Sequence, residues 1–121
     1  MVLVDTPVWI DHLRRGVPTL VSLLDEGLVL MHPFVLGELA CGQLIDREGL
    51  LGLLRDLREA AVATDAEALG FIEQHKLMGK GLGYIDVHLL ASTVLEGEAR
   101  LWTRDKRLTR VSDEMGLGYR V

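Results

Sequence analysis

Short apolar runs alternate with helical patterns along the whole chain, and this alternation constrains the fold more than any other feature. Five apolar, β-favouring runs predict strands at residues 2–4, 28–31, 60–64, 100–103 and 118–121. Each gap between them carries apolar residues at helical spacing. Strands that alternate with helices form a mainly parallel sheet, joined by right-handed crossovers and covered on both faces. The sequence therefore predicts an α/β fold.

The gaps between the strands predict helices with defined starts. Two short helices, around residues 8–13 and 20–24, are separated by Gly16 and Pro18. Pro33 opens a helix that runs to about Gly42, because proline suits the first helical turn. Four further helices are predicted at about residues 50–57, 65–78, 84–96 and 105–116.

Length and composition bound the class of protein. The 121 residues suit one domain, residues 1–121. A net charge of −5 argues against non-specific polyanion binding but leaves room for a local basic patch. The single cysteine, Cys41, excludes a disulfide within the chain and suggests a reducing compartment. We find no basic leader and no apolar run that spans a bilayer, so we expect a cytoplasmic protein without a membrane segment.

Asp5 directly follows the first predicted strand and precedes a predicted helix. Open α/β sheets build their sites at the carboxyl ends of strands, so this carboxylate is a candidate ligand. It is also suited to cap the helix that Pro7 begins. Taken alone, Asp5 leaves both roles open.

Three other acids share unusual settings. Glu38 has Phe34 and Val35 among its helical neighbours, where an unpaired charge is costly. Asp86 lies in the first turn of a helix beside apolar positions, and Asp105 follows the strand at 100–103. Each position has an ordinary explanation, such as a helix cap or a favourable charge near a helix start.

Taken together, Asp5, Glu38, Asp86 and Asp105 are better explained by one oxygen-rich metal site. Clustered carboxylates without soft ligands select a hard ion, Mg²⁺ or Mn²⁺. Such an ion can lower the pKa of a bound water and neutralise phosphoryl oxygens. The hydroxyl groups of Thr6 and Thr103 are candidates to support the site, or simply to cap helices.

A basic segment surrounds Asp105. Five basic residues fall within eleven positions: Arg100, Arg104, Lys106, Arg107 and Arg110. Such a patch beside a metal ligand can follow a nucleic-acid backbone, although a solvated helix face explains the pattern equally well. Asp65 also follows a predicted strand, but Thr64 and Glu67 complete a capping box that explains it without chemistry.

The ordered motifs resemble the PIN-domain ribonucleases, specifically the VapC toxins of bacterial toxin–antitoxin pairs. The resemblance covers essentially the whole chain and rests on four stretches: Leu3-Val-Asp5-Thr-Pro-Val-Trp, Glu38-Leu39, Gly83-Tyr-Ile-Asp86-Val-His-Leu-Leu-Ala, and Thr103-Arg-Asp105-Lys-Arg-Leu. It implies a three-layer α/β/α domain with a five-stranded sheet. It further implies that Asp5 and Asp86 are the central metal ligands and that Glu38 and Asp105 complete the shell, directly or through water.

The same resemblance implies a function. It implies an Mg²⁺- or Mn²⁺-dependent endoribonuclease that hydrolyses RNA with a metal-activated water. It also implies a homodimer and a VapB-like antitoxin as partners, with Arg104, Lys106 and Arg107 as possible RNA contacts. Two alternatives remain at this point: a catalytically silent PIN-like domain that binds RNA or protein, and a receiver-like module with Asp65 as phosphoacceptor.

Overall fold

A four-stranded parallel sheet forms the centre of the computed structural model, which describes residues 1–120. The strand order is β3-β2-β1-β4, and every neighbouring pair is parallel. The strands are β1 (Val2–Val4), β2 (Val29–Met31), β3 (Arg58–Glu59) and β4 (Arg100–Trp102). The prediction of an α/β fold with a parallel sheet is confirmed. The prediction of five strands is wrong for the described residues.

The two strand predictions that failed lie at the edges of the sheet. The segment predicted at 118–121 forms one β-bridge, from Gly118 to Leu101, and Val121 lies outside the described residues. The strand predicted at 60–64 lies earlier, at Arg58–Glu59, and is exposed. Ala60 and Ala63 are buried beyond it. The apolar residues of this segment therefore indicated burial in the core. They did not indicate the strand, because a strand is defined by the backbone groups that pair with β2.

Seven helices connect the strands, and every predicted helix is present in the described residues. Their bounds are α1 (Thr6–Arg15), α2 (Pro18–Asp25), α3 (Pro33–Ala40), α4 (Arg47–Arg55), α5 (Asp65–His75), α6 (Tyr84–Glu96) and α7 (Lys106–Glu114). Helix α3 ends two residues before the predicted Gly42. Helix α5 stops at Lys76, which adopts a left-handed conformation with φ of 53°. Such a residue ends a helix because the next turn cannot form.

The helices lie in two layers on opposite faces of the sheet. Right-handed crossovers from β1 to β2 and from β2 to β3 require α1 to α4 on one face. The return from β3 to β4 requires α5 and α6 on the other face. The packing agrees, since α1 contacts α3, α3 contacts α4, and α5 contacts α6. The result is a three-layer α/β/α arrangement around buried strands. None of the helices described is long and apolar enough to cross a membrane.

The strand order creates a crevice between β1 and β4. The chain leaves β1 toward β2 on one side, whereas β4 lies on the other side of β1. Ligand sites of open α/β sheets form at such a reversal, outside the carboxyl ends of the strands. Asp5 directly follows β1 and Thr103 directly follows β4. The fold therefore brings these two residues to the crevice.

Candidate metal centre

Asp5 caps helix α1 and points one oxygen into the crevice. Its Oδ1 accepts the backbone N–H of Thr6, the first residue of α1, at 2.8 Å. Its Oδ2 accepts the Thr103 hydroxyl at 2.8 Å, across the gap between β1 and β4. The side chain is only 6% exposed. Helix capping and metal binding, the two roles left open by the sequence, are therefore compatible. Capping uses Oδ1, whereas Oδ2 faces the crevice.

Thr103 connects two of the acids. Its hydroxyl donates to Asp5 and also accepts the Asp105 backbone N–H at 3.1 Å. Asp105 in turn is the N-cap of α7, where its Oδ1 accepts the Leu108 N–H at 2.9 Å. The capping interpretation of Asp105 is therefore confirmed. Asp105 as a whole is exposed to solvent.

Thr6 connects Asp5 to Glu38. The Thr6 hydroxyl donates to Glu38 Oε1 at 2.7 Å, and this bond joins α1 to α3. Glu38 is exposed, so the sequence argument that an apolar helical stripe surrounds its charge is wrong. What ties Glu38 to the crevice is the packing of α3 against α1. The two threonines thus link three of the four predicted acids by direct hydrogen bonds.

Asp86 is the fourth acid and approaches from α6. Its Oδ2 accepts the Gly83 N–H at 3.0 Å at the start of that helix. Burial raises the pKa of Asp86, and the charges of Asp105 and Glu38 raise it further. Asp105 directly precedes α7 and Glu38 lies in α3, so the carboxylates that act on Asp86 come from other parts of the chain.

Mutual repulsion also affects Asp5. Burial is the largest cause that raises the pKa of Asp5, and the nearby Asp86 and Glu38 add to it. The hydrogen bonds from Thr103 and Thr6 act in the opposite direction. Like charges in one crevice disfavour ionisation, and a bound cation would reverse that effect. The electrostatics therefore favour a positively charged ligand.

The donor set suits a hard divalent ion. All four candidate ligands are carboxylates, the type that Mg²⁺ and Mn²⁺ prefer. Within residues 1–120, no three acidic, histidine or cysteine side chains are arranged to hold an ion together. Mg²⁺ commonly binds through one or two carboxylates and keeps several waters, so fewer than three direct ligands suffice. The residues present fit such an ion.

Two buried histidines support the crevice, and sequence reasoning assigned them no role. His32 is the N-cap of α3, where its Nδ1 accepts the Phe34 N–H at 3.0 Å. His88 packs edge-on against Phe34 and Tyr84, at ring distances of 4.9 and 4.7 Å. Both histidines are at most 2% exposed. They lie at the starts of α3 and α6, the helices that carry Glu38 and Asp86. In the sequence, the position of His32 directly before Pro33 was the one sign that it precedes a helix.

Burial of His32 predicts a loss of stability in acid. Burial, and secondly the neighbouring His88, lowers the pKa of His32 from 6.5 to about 4. The unfolded chain takes up a proton near pH 6.5 while the folded chain does not, so stability falls as the pH drops from 6.5 to 4. This group alone contributes about 3 kcal/mol over that interval. We expect the His32→Asn variant to lose less stability than the wild type over the same interval.

Asparagine at position 32 preserves the cap, because its side-chain oxygen also accepts a backbone N–H. The cavity it leaves lowers stability at every pH, so the slope is the informative quantity. Urea unfolding at several pH values measures it. Parallel curves for the wild type and His32→Asn would contradict the assignment of acid sensitivity to His32.

Asp65 lies beside this support rather than in the crevice. Its Oδ1 accepts the Tyr84 hydroxyl at 2.7 Å and lies 3.5 Å from Nε2 of His88. The capping box of Thr64 and Glu67 is present, with bonds of 3.0 and 2.9 Å. The structural explanation of Asp65 is therefore confirmed, and Asp65 links α5 to the start of α6.

Comparisons with known proteins cover nearly the whole chain. The family model described as PIN domain matches residues 2–114, a range that contains all four acids. Ribonuclease VapC32 of Mycobacterium tuberculosis is similar to this chain in both strain CDC 1551 and strain H37Rv. Each relative is 46% identical over 117 residues, which is 97% of this chain and 94% of the relative.

Proposed function

Because this chain belongs to the PIN-domain family, we propose that it is a metal-dependent endoribonuclease of the VapC type. One observation carries the proposal. Burial raises the pKa of Asp5 beside the strand-order reversal, and the charges of Asp86 and Glu38 raise it further. Burial likewise raises the pKa of Asp86, and Asp105 and Glu38 add to it. The arrangement is costly for stability and is explained by a cation that joins the acids.

We propose Asp5 and Asp86 as the direct ligands of Mg²⁺ or Mn²⁺. Both are held at helix starts by backbone hydrogen bonds that leave the second oxygen of each free of a backbone partner. Glu38 and Asp105 complete the set, directly or through water, and both are exposed enough to reach a solvated ion. Asp5, Glu38, Asp86 and Asp105 are thus the proposed catalytic residues.

The proposed reaction is hydrolysis of a phosphodiester. A water oxygen bonds to phosphorus and gives up a proton, and the bond from phosphorus to the 3′ oxygen breaks. The 3′ oxygen takes up a proton, so the products carry a 5′-phosphate and a 3′-hydroxyl. When bound, the ion would neutralise phosphoryl oxygens and lower the pKa of the attacking water. The chain supplies orientation, because Thr103 and Thr6 fix both oxygens of Asp5. Thr6 also holds Glu38 toward the crevice.

We further propose that basic residues beside Asp105 contact the RNA. Lys106 and Arg107 lie in the first turn of α7, and neither forms an ion pair with any residue from 1 to 120. Arg104 pairs with Asp11 of α1, so it reaches RNA only with Asp11 beside it or after releasing it. Their positive charges offset the net negative charge of the chain at the place where the RNA would approach.

The biological setting is part of the proposal. The relatives' name, Ribonuclease VapC32, supports an RNA substrate and a VapB-like antitoxin that neutralises the enzyme. We also propose a homodimer in a cytoplasmic location. Several exposed apolar side chains, including Ile45 at 94% and Leu53 at 69%, give such partners apolar surface to cover.

RNA cleavage in the presence and absence of divalent ions tests the function. We expect a labelled RNA to be cut with Mg²⁺ or Mn²⁺ and to stay intact with EDTA. Cleavage that survives EDTA would contradict the metal proposal. Tight RNA binding without any cleavage would favour the silent PIN-like alternative. The receiver-like alternative is not supported, because Asp65 lies outside the crevice and bonds to Tyr84.

A further inference from the structure

A polar cavity, which we call the α7 cleft, lies between helix α7 and the loop that precedes α6. It has a volume of about 310 Å³ and is lined by Gly79, Lys80, Arg107, Arg110, Val111 and Glu114. The four α7 residues lie at positions i, i+3, i+4 and i+7, so they form one stripe along the helix. The cleft therefore has one helical wall and one glycine-rich wall.

The charge of the α7 cleft is positive. Lys80, Arg107 and Arg110 oppose a single acid, Glu114, which lies 3.6 Å from Lys80. Arg107 and Arg110 form no ion pair among the described residues. Two guanidinium groups are thus available to bind an anion, and guanidinium is the side chain that best matches phosphate oxygens.

The position of the cleft connects it to the candidate metal centre. The loop wall leads within a few residues to Asp86, and the helical wall begins directly after Asp105. Both walls of the cleft are therefore joined in sequence to proposed metal ligands. The approach of a polyanion to four carboxylates also requires cations close by, because the whole chain carries a net charge of −5.

Gly81 fixes the position of Arg107. A Cβ atom at Gly81 would lie 2.7 Å from Arg107 Cδ and 3.0 Å from Arg107 Nε. The side chain of Arg107 therefore rests against the bare backbone of the loop. Gly81 also has a φ of +78°, which favours glycine. The absence of a side chain at residue 81 thus leaves room for Arg107 at the cleft.

We propose that the α7 cleft binds a backbone phosphate of the RNA, next to the phosphate that is cleaved. This proposal rests on the proposed function and adds to it the surface that holds the neighbouring nucleotide. Recognition through phosphate is independent of base sequence, so the cleft contributes affinity and register rather than sequence preference.

A pair of glycine variants tests the cleft. Gly81→Ala places a methyl group against Arg107 and should displace it. Gly27→Ala at the end of α2 is the matched control, because Gly27 has a similar φ of +69° and nothing within 4 Å of its Cβ position. We expect Gly81→Ala to weaken RNA binding by about fivefold, near the upper end for an exposed ionic contact. The control should bind like the wild type.

Charge variants give a second, independent readout. Arg110→Gln should weaken binding to a similar extent and reduce the slope of log affinity against log salt by about 0.7, the value for one phosphate of a single strand. Arg55→Gln, at the last residue of α4, is the control because Arg55 does not line the cleft, and it should leave the slope unchanged. Arg107→Gln replaces Gly81→Ala if the alanine variant does not fold.

The measurement is the binding of a labelled single-stranded RNA to the full chain in EDTA, so that binding is read without cleavage. Wild-type affinity and salt slope in Gly81→Ala, Arg107→Gln and Arg110→Gln would overturn the proposal. An equal loss in Arg55→Gln would overturn it as well, because the effect would then be one of overall charge. Failure of the proposed function is distinct, since it appears as uncut RNA in wild-type protein with Mg²⁺.

Discussion

Replacing Asp86 with asparagine is expected to lower the rate of RNA cleavage by about a thousandfold, with the fold intact. The change removes one proposed metal ligand and its charge. The loss of one such electrostatic contact lowers the rate by roughly two to three orders of magnitude. The fold should survive because the asparagine oxygen still accepts the Gly83 N–H, the bond that holds Asp86 at the start of α6. Initial cleavage rates and circular dichroism measure both effects.

Glu67 offers a matched control for Asp86. It occupies the corresponding third position of α5, where its Oε1 accepts the Thr64 N–H at 2.9 Å. Glu67→Gln removes the same charge from the same kind of helix start, but Glu67 does not act on either central acid. We expect wild-type cleavage from Glu67→Gln. Equal activity in both variants would remove Asp86 from the reaction.

Replacing Asp5 with asparagine is expected to raise the unfolding temperature of the metal-free protein. Burial and the charges of Asp86 and Glu38 all disfavour the ionised Asp5. An asparagine oxygen can accept the Thr6 N–H, and its amide can donate to the Thr103 hydroxyl, so both bonds are kept. Each roughly 1 kcal/mol of repulsion removed raises the unfolding temperature by about 4 °C in a domain of this size. Glu67→Gln should give no such rise.

The pH dependence of this gain has a definite sign. A carboxyl group whose pKa is raised in the folded state destabilises the fold when ionised, and the penalty fades as the pH falls toward the ordinary value of 3.8. The stability difference between Asp5→Asn and wild type should therefore be largest at neutral pH and shrink in acid. A difference that grows as the pH falls would contradict the repulsion argument.

Added Mn²⁺ should make the wild type more stable than Asp5→Asn, the reverse of the order expected without metal. An ion that binds only the folded wild type stabilises it by about 2.7 kcal/mol at a hundred times its Kd. Asp5→Asn lacks a proposed ligand and should gain much less. Thermal unfolding with and without Mn²⁺ measures this, and equal stabilisation of both proteins would remove Asp5 from the ligand set.

The sequence predicted most of the fold, for physical reasons, and it also supplied the proposed site residues. Alternating strands and helices permit few topologies, and a carboxylate directly after a buried strand must lie at one edge of the sheet. Asp5 and Asp105 were found by that rule, and Pro33 marked the start of α3. The pairing of Glu38 with Thr6 spans 32 residues and depends on how α3 packs against α1, which no local pattern encodes.

The failures share a cause as well. β3 is a two-residue, exposed edge strand, so its residues carry no apolar pattern to mark it. Glu38 has apolar neighbours in sequence, but the side of α3 it occupies is open to solvent. The role of His32 was missed although Pro33 directly after it marked a helix start, because the residue type alone does not show that a histidine accepts a backbone N–H. Burial and pairing are properties of the assembled fold, and residue type indicates them only in part.

The central claim is that Asp5, Glu38, Asp86 and Asp105 form one metal site. The most direct test is an anomalous difference map from crystals of this protein soaked in Mn²⁺. We predict a peak about 2.1 Å from carboxylate oxygens of Asp5 and Asp86, with Glu38 or Asp105 adjacent. Mn²⁺ bound elsewhere, with no peak at Asp5 and Asp86, would contradict the claim.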